Sequence, residues 1–226
     1  MKTFGYSILA LALLTGTAAA ADLYVPPVQP MMSAPSSVGN FYASIFGGAA
    51  FVNDFDFISS VDANPGAMSF DPGYSVDGAI GYDFGNGLSV EGQVGYLNAG
   101  ISGTVYDGND LVTEGSASIT YAMLNAWYGI DLGGVTPFVG AGLGVASLAV
   151  DADFTDFSTA SIDDTETTWA AQIGAGLSVD VADNIAVTGR YRYMTTGEVS
   201  LTDASNHQNT GSASASIVDA GLKLSF

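Results

Sequence analysis

The stretch Val218-Asp219-Ala220-Gly221-Leu222-Lys223-Leu224-Ser225-Phe226 decides the fold. Its even positions are apolar: Val218, Ala220, Leu222, Leu224 and Phe226. Its odd positions are polar or tiny: Asp219, Gly221, Lys223 and Ser225. A period of two marks a β-strand with one apolar face and one polar face. The alternation recurs upstream. Leu88, Val90, Val94 and Tyr96 alternate with Ser89, Glu91, Gln93 and Gly95. Ile185, Val187, Tyr191 and Tyr193 alternate with Ala186, Thr188, Arg190 and Arg192. Eight such segments are read, at 40–52, 73–84, 88–97, 119–132, 135–150, 169–181, 185–194 and 212–226.

The connections alternate in length. Three are tight: Gly85-Asn86-Gly87, Gly133-Gly134 and Ala182-Asp183-Asn184. Asn-Gly and Gly-Gly supply the positive φ that short hairpin turns demand. The other four, 54–72, 98–118, 151–168 and 195–211, are long and read as loops. Short turns at one end and long loops at the other are the pattern of a bacterial outer-membrane barrel. The expected fold is therefore all-β, an eight-stranded antiparallel up-and-down transmembrane β-barrel. An even strand number puts both termini on the short-turn, periplasmic side and the long loops outside the cell.

Composition agrees. Lys2, the apolar run 8–14 and the small residues from Thr15 to Ala21 predict a cleaved leader at 1–21. Residues 22–38 are rich in Pro and Ser and predict an extended periplasmic tether, leaving 39–226 for the barrel. No segment is apolar for the length a spanning helix needs. A membrane-spanning chain must then be a closed sheet, because every backbone group in lipid needs an internal partner. The absence of cysteine excludes disulfides and thiolate metal sites. Four bases stand against 23 acids. Such a surface repels nucleic acid and bare anionic headgroups.

The alternation assigns faces. A base turned to lipid at mid-depth costs roughly 2–4 kcal/mol, so Arg190, Arg192 and Lys223 are expected in the lumen. Asp77, Glu91 and Asp219 are their candidate partners there, with Asp83, Asp131 and Asp180 nearer the rim. Eight strands enclose only enough space for side chains, and buried charges need partners. A filled, salt-bridged lumen is expected, with a narrow channel for ions or small solutes as the alternative. Glycines 140, 142, 144, 174 and 176 leave room for Tyr42, Phe46, Met123 and Trp127. Outward aromatics predict two girdles: Tyr82, Phe84, Tyr128 and Phe226 at the turn end, and Tyr96, Tyr191 and Tyr193 at the other.

Most remaining acids fall in the long connections, which carry no Lys or Arg. Asp151, Asp153, Asp156, Asp163, Asp164 and Glu166 are weak candidates for a Ca²⁺ or Mg²⁺ site. Their spacing is not that of an EF-hand, and a solvated acidic loop is the simpler reading. A weaker version has divalent cations bridging these acids to lipopolysaccharide phosphates. His207, the one histidine, lies near Asp203 and Ser205 without any oriented triad, so no enzyme and no cofactor are expected. Gly140-x-Gly142-x-Gly144 reads as small lumenal residues rather than a phosphate loop, since no helix follows.

Several motifs together resemble one family. Gly189-Arg190-Tyr191-Arg192-Tyr193 resembles the seventh strand of the small outer-membrane barrel surface proteins of alphaproteobacteria, the opacity/porin-like family, whose barrel is similar to the OmpA transmembrane domain. Pro137-Phe138-Val139-Gly140-Ala141-Gly142-Leu143-Gly144 resembles their fifth strand, and Trp169-Ala170-Ala171-Gln172-Ile173-Gly174-Ala175-Gly176 their sixth. The prolines after Ala21-Asp22-Leu23 and the terminal Phe226 also fit. The resemblance implies a monomeric or weakly associated eight-stranded barrel with structural, antigenic or adhesive roles and no shared catalytic residues. It also implies that Phe226 is the signal read by the outer-membrane insertion machinery.

Overall fold

The computed structural model describes residues 39–59, 65–106, 109–111, 113–154, 161–202 and 208–226. The expected leader and tether, 1–38, lie outside these residues. Among the described residues eleven strands build eight staves. The first is β1 (Asn40–Val52) continued by β2 (Phe55–Ser59), and the second is β3 (Pro65–Phe70) continued by β4 (Gly73–Asp83). β5 (Leu88–Tyr106) is the third, and β6 (Asn109–Leu111) with β7 (Thr113–Gly129) the fourth. β8 (Val135–Phe154), β9 (Ser161–Ala182), β10 (Ile185–Thr202) and β11 (Gln208–Ser225) complete the wall. Every pairing is antiparallel, and β11 closes on β1 from Tyr42↔Ser225 to Val52↔Ala215.

The tight turns follow from their residues. Gly87, Gly133 and Gly134 hold φ of 89°, 87° and 94°, a region costly for any residue with a Cβ. At the second turn the Asp131 carboxylate accepts hydrogen bonds from the Gly133 and Gly134 amides at 2.8 and 3.2 Å. Those two amides hold its pKa below the usual carboxylate value. This turn takes in Ile130–Leu132, which the sequence reading placed in a strand.

The long connections differ from expectation. Most of 98–118, 151–168 and 195–211 is strand, not loop: β5 runs on to Tyr106, β8 spans 20 residues and β9 spans 22. The first connection carries the β2–β3 hairpin. The reason is that the period-two pattern continues through these stretches with its faces exchanged. The exchange begins inside segments already read as strand: in Ser212-Ala213-Ser214-Ala215-Ser216-Ile217, the alanines and Ile217 are buried while the serines take the other face. In Ser116-Ala117-Ser118-Ile119-Thr120, Ala117 and Ile119 are buried. On β8, Leu148 and Val150 are buried beside the outward Ser147. A Ser/Thr-rich composition reads as loop, but here the hydroxyls coat a wall that encloses an apolar core.

The barrel interior is thus two layers. Toward the tight turns it is polar, with Asp77, Glu91, Gln93, Asn125, Arg190 and Asp219 all buried. Toward the long hairpins it is apolar, built from Phe55, Leu97, Ile119, Leu148, Met194 and Ile217. A membrane-spanning strand needs about 9–11 residues. About half of β8 and β9 therefore extends beyond a hydrocarbon layer.

The lumen as candidate functional site

Arg190 and Arg192 are two apart on β10, so both side chains enter the lumen. Arg190 stands directly across from Asp219 on β11, and Asp77 reaches in from β4. Arg190 donates through Nε to Asp219 Oδ1 at 2.7 Å and through Nη2 to Asp77 Oδ1 at 2.6 Å. Arg192 donates through Nη2 to Asp77 Oδ2 at 2.7 Å and to Asp219 Oδ2 at 2.6 Å. Both arginines thus bridge both aspartates, all four side chains being nearly inaccessible. The Phe46 ring lies 3.5 Å from the Arg190 guanidinium carbon, a cation–π contact beneath the cluster. Two positive and two negative charges that satisfy one another in this way meet the condition for burying them at all.

Neutral amides carry the network across the lumen. Gln93 Nε2 donates to Asp77 Oδ1 at 2.8 Å, while its Oε1 accepts from Asn125 and Gln172, both at 2.8 Å. Gln172 Oε1 accepts from Arg192 Nη1 at 3.2 Å. Glu91 accepts from Tyr42 and Asn125, both at 3.0 Å. The hydrogen-bonded chain from Glu91 to Asp219 runs through five staves. Glycines make the room: a Cβ at Gly140 would strike the Trp127 ring, and one at Gly142 the Asn125 amide.

The candidate residues separate into groups. Arg190, Arg192, Asp77 and Asp219 meet. Glu91 joins through neutral donors. Lys223 stands apart at the rim, its Nζ 3.8 Å from Asp83 and 4.0 Å from the centre of the Tyr42 ring. Gln93, Asn125, Gln172 and Tyr121 were not singled out as site residues. Their inward position in the alternation is the signal that finds them, but a neutral side chain carries no obligation to be paired with a charge. Asp151 is exposed and Glu166 half-buried. Asp163 and Asp164 lie in β9, their backbones paired with Asp151 and Val150, and Asp153 lies in β8 opposite Ser161. Asp156, Asp203, Ser205 and His207 fall outside the described residues. Among the described residues no three acids or histidines gather as a metal site.

The outer surface is a belt of exposed Ile45, Ile80, Leu124, Leu143, Ile173 and Leu222. Its aromatics include Phe84, Tyr128 and Phe226 toward the turns and Tyr191 and Tyr193 farther along, all exposed. Tyr82 packs against Phe41 and Phe84 with ring centres 4.9 and 5.1 Å apart, and Tyr96 against Tyr74 at 6.2 Å. Phe41, Tyr74 and Trp169 are further outward aromatics. So large an apolar band around a barrel requires hydrocarbon outside it. Residues 7–226 match the family model described as outer membrane protein beta-barrel domain.

The chain belongs to that family.

It is also 30% identical over 153 residues to an "Outer membrane protein" of Gluconacetobacter diazotrophicus; the match takes in 63% of this chain and 40% of the relative's length. Among solved structures it is similar to the outer membrane protein OprG from Pseudomonas aeruginosa, with TM-score 0.60 and 15% identity, over 84% of this chain and 96% of that one. Neisserial surface protein A follows at TM-score 0.54 and 20% identity, over 82% and 97%. The outer membrane protease OmpT from Escherichia coli shares the fold at TM-score 0.50 and 11% identity, over 83% and 97%. At these identities the likeness is one of fold. The family and fold belong to outer-membrane barrels, and the surrounding medium of the belt is outer-membrane lipid.

Proposed function

We propose that this outer-membrane barrel is a structural and surface-displaying protein with a closed lumen, not a channel. The observation that carries the reading is the four-charge cluster of Arg190, Arg192, Asp77 and Asp219, stacked beneath an apolar layer. An ion entering the polar half would have to break a balanced set of buried hydrogen bonds. An ion entering the other half would cross an apolar constriction, which excludes ions by dewetting. With the tight turns facing the periplasm, as in bacterial barrels, both termini are periplasmic and the long hairpins stand outside the cell. Their hydroxyl-coated walls would lie among lipopolysaccharide sugars. Divalent cations would bridge the acids, Asp151 and Glu166 among them, to lipopolysaccharide phosphates. The projecting hairpins are then the part open to other surfaces, which suits an adhesin or surface antigen. We take the barrel as monomeric and Phe226 as the residue read by the insertion machinery.

The test is planar-bilayer conductance of the refolded protein. The closed reading expects no steady steps above background. Steady unitary currents would replace it with the narrow-channel reading.

A further inference from the structure

Two neighbouring staves separate at the end of the apolar belt. β9 pairs with β8 as far as Asp153↔Ser161, and β10 pairs with β11 as far as Thr202↔Gln208. With one another β9 and β10 pair only as far as Thr196↔Ala170, although both strands run on. The separation has a local cause. A register shift between Thr195 and Glu198 marks a β-bulge in β10, and bulges bend a strand and end its pairing. The Thr196 hydroxyl holds the bulge by accepting from the Ala213 amide at 3.1 Å. Trp169 lies in the fork, since a Cβ at Gly197 would strike its Nε1. Inside lipid an open strand edge is forbidden. The fork stands where the outward pairs change from Val145 and Trp169 to Ser147 and Thr167.

The ladder shows which backbone groups the fork leaves open. The Asp180 amide donates to Gly134 O, and the β8–β9 register holds without a break from there to Asp153↔Ser161. Backbone groups along an antiparallel strand turn alternately to its two sides. Even-numbered residues of β9 therefore face β8, and odd-numbered ones face the other way. Beyond the fork, Ser161, Asp163 and Thr167 turn their backbone groups to a side with no strand partner among the described residues. Such a row is a template for an added strand. Its charge selects the occupant. The stretch 161–169 carries Asp163, Asp164 and Glu166, 197–202 carries Glu198, and neither has a base. A second copy of this edge would set acids against acids, which destabilises a strand pair.

We propose that the outer edge of β9 takes up an extended polypeptide segment rich in lysine or arginine as an added strand. The backbone ladder supplies the grip, and the acids supply the choice of partner. The site rests on the reading of the long hairpins as the displayed part of the barrel, and it names the class of partner they would meet.

The probe is a nine-residue peptide alternating lysine with threonine or valine, added to refolded protein in zwitterionic micelles and read by amide hydrogen exchange. Saturable binding is expected, with slowed exchange at Ser161, Asp163 and Thr167. The same peptide N-methylated along its whole backbone keeps its charge but offers no N–H, and should bind at least tenfold more weakly. Thr167→Pro removes an edge-facing N–H without touching the β8 ladder and should weaken binding as much. If that variant does not refold, the peptide comparison on the unaltered protein decides. Asp163→Asn, Asp164→Asn and Glu166→Gln together should weaken binding several-fold and flatten its salt dependence. Equal binding of the methylated peptide would reduce the effect to charge attraction and overturn the added strand. Slowed exchange at these amides without peptide, growing with protein concentration, would give the edge to a second copy and overturn the basic partner. Display is tested separately, by labelling Asp151→Cys on intact cells with an impermeant maleimide. No labelling, with the peptide still bound to the refolded protein, would overturn the display and not the edge.

Discussion

Arg192 shows how little freedom a single lumenal residue has. It is fully buried, and its guanidinium serves Asp77, Asp219, Tyr121 and Gln172 at once. Arg192→Met would leave two carboxylates without one of their two cations. Breaking a buried pair in this way costs about 3–5 kcal/mol, read as a lower urea midpoint for the refolded barrel. Arg192→Lys keeps the charge but not the fork that reaches several acceptors, so about 1–3 kcal/mol is expected from the lost bonds. If Met and Lys prove equally mild, the cluster does not hold the staves together. The four charges were readable from the sequence because lipid forbids Arg190 and Arg192 on the outer face. The standing of Lys223 was not. It shares the inward face, but its position four residues beyond Asp219 carries it toward the rim, where half-exposure relieves the need for a buried partner.

At the scale of the strand, the exchange of faces marks where lipid ends. On β8, Leu143 is outward and exposed, while Ser147, four residues on, is outward with Leu148 buried beside it. An arginine scan reads the boundary. Leu143→Arg should cost about 2–4 kcal/mol, and Ser147→Arg about 0–1 kcal/mol, because the penalty falls with distance from the midplane. Equal costs in reversible unfolding would mean that the hydroxyl-coated portion is not outside the hydrocarbon. This is also where the sequence was read short. The staves within the apolar belt were legible because Leu, Ile and Tyr alternate with polar residues at full contrast. In 116–118, at the end of the connection read as 98–118, the contrast is only serine against alanine. The period survives there, but composition outweighed it, and strands were taken for loops.

On the proposed reading, the barrel at the scale of the whole molecule has two seals in series, and each follows from its surroundings. In the belt, lipid takes the apolar faces, so polar groups are left to the lumen and must satisfy one another. Beyond the belt, water takes the polar faces, so the apolar groups turn inward and form a core like that of a soluble protein. Neither seal depends on the other for its logic, which gives a prediction that no single residue could. The quadruple change of Arg190, Arg192, Asp77 and Asp219 to Ala removes two charges of each sign and leaves the lumen balanced. The barrel that refolds, identified by its heat-modifiable gel mobility, should still be silent in planar bilayers, because Leu97, Ile119 and Ile217 close the other half. Steady conductance should appear only when Leu97→Ser and Ile119→Ser are added, which wets the constriction. Conductance from the quadruple variant alone would show that the apolar layer is no barrier. Silence in the combined variant would place the closure elsewhere in the tube, with the Trp127 and Phe138 rings, in edge contact at 5.4 Å, the next constriction to open.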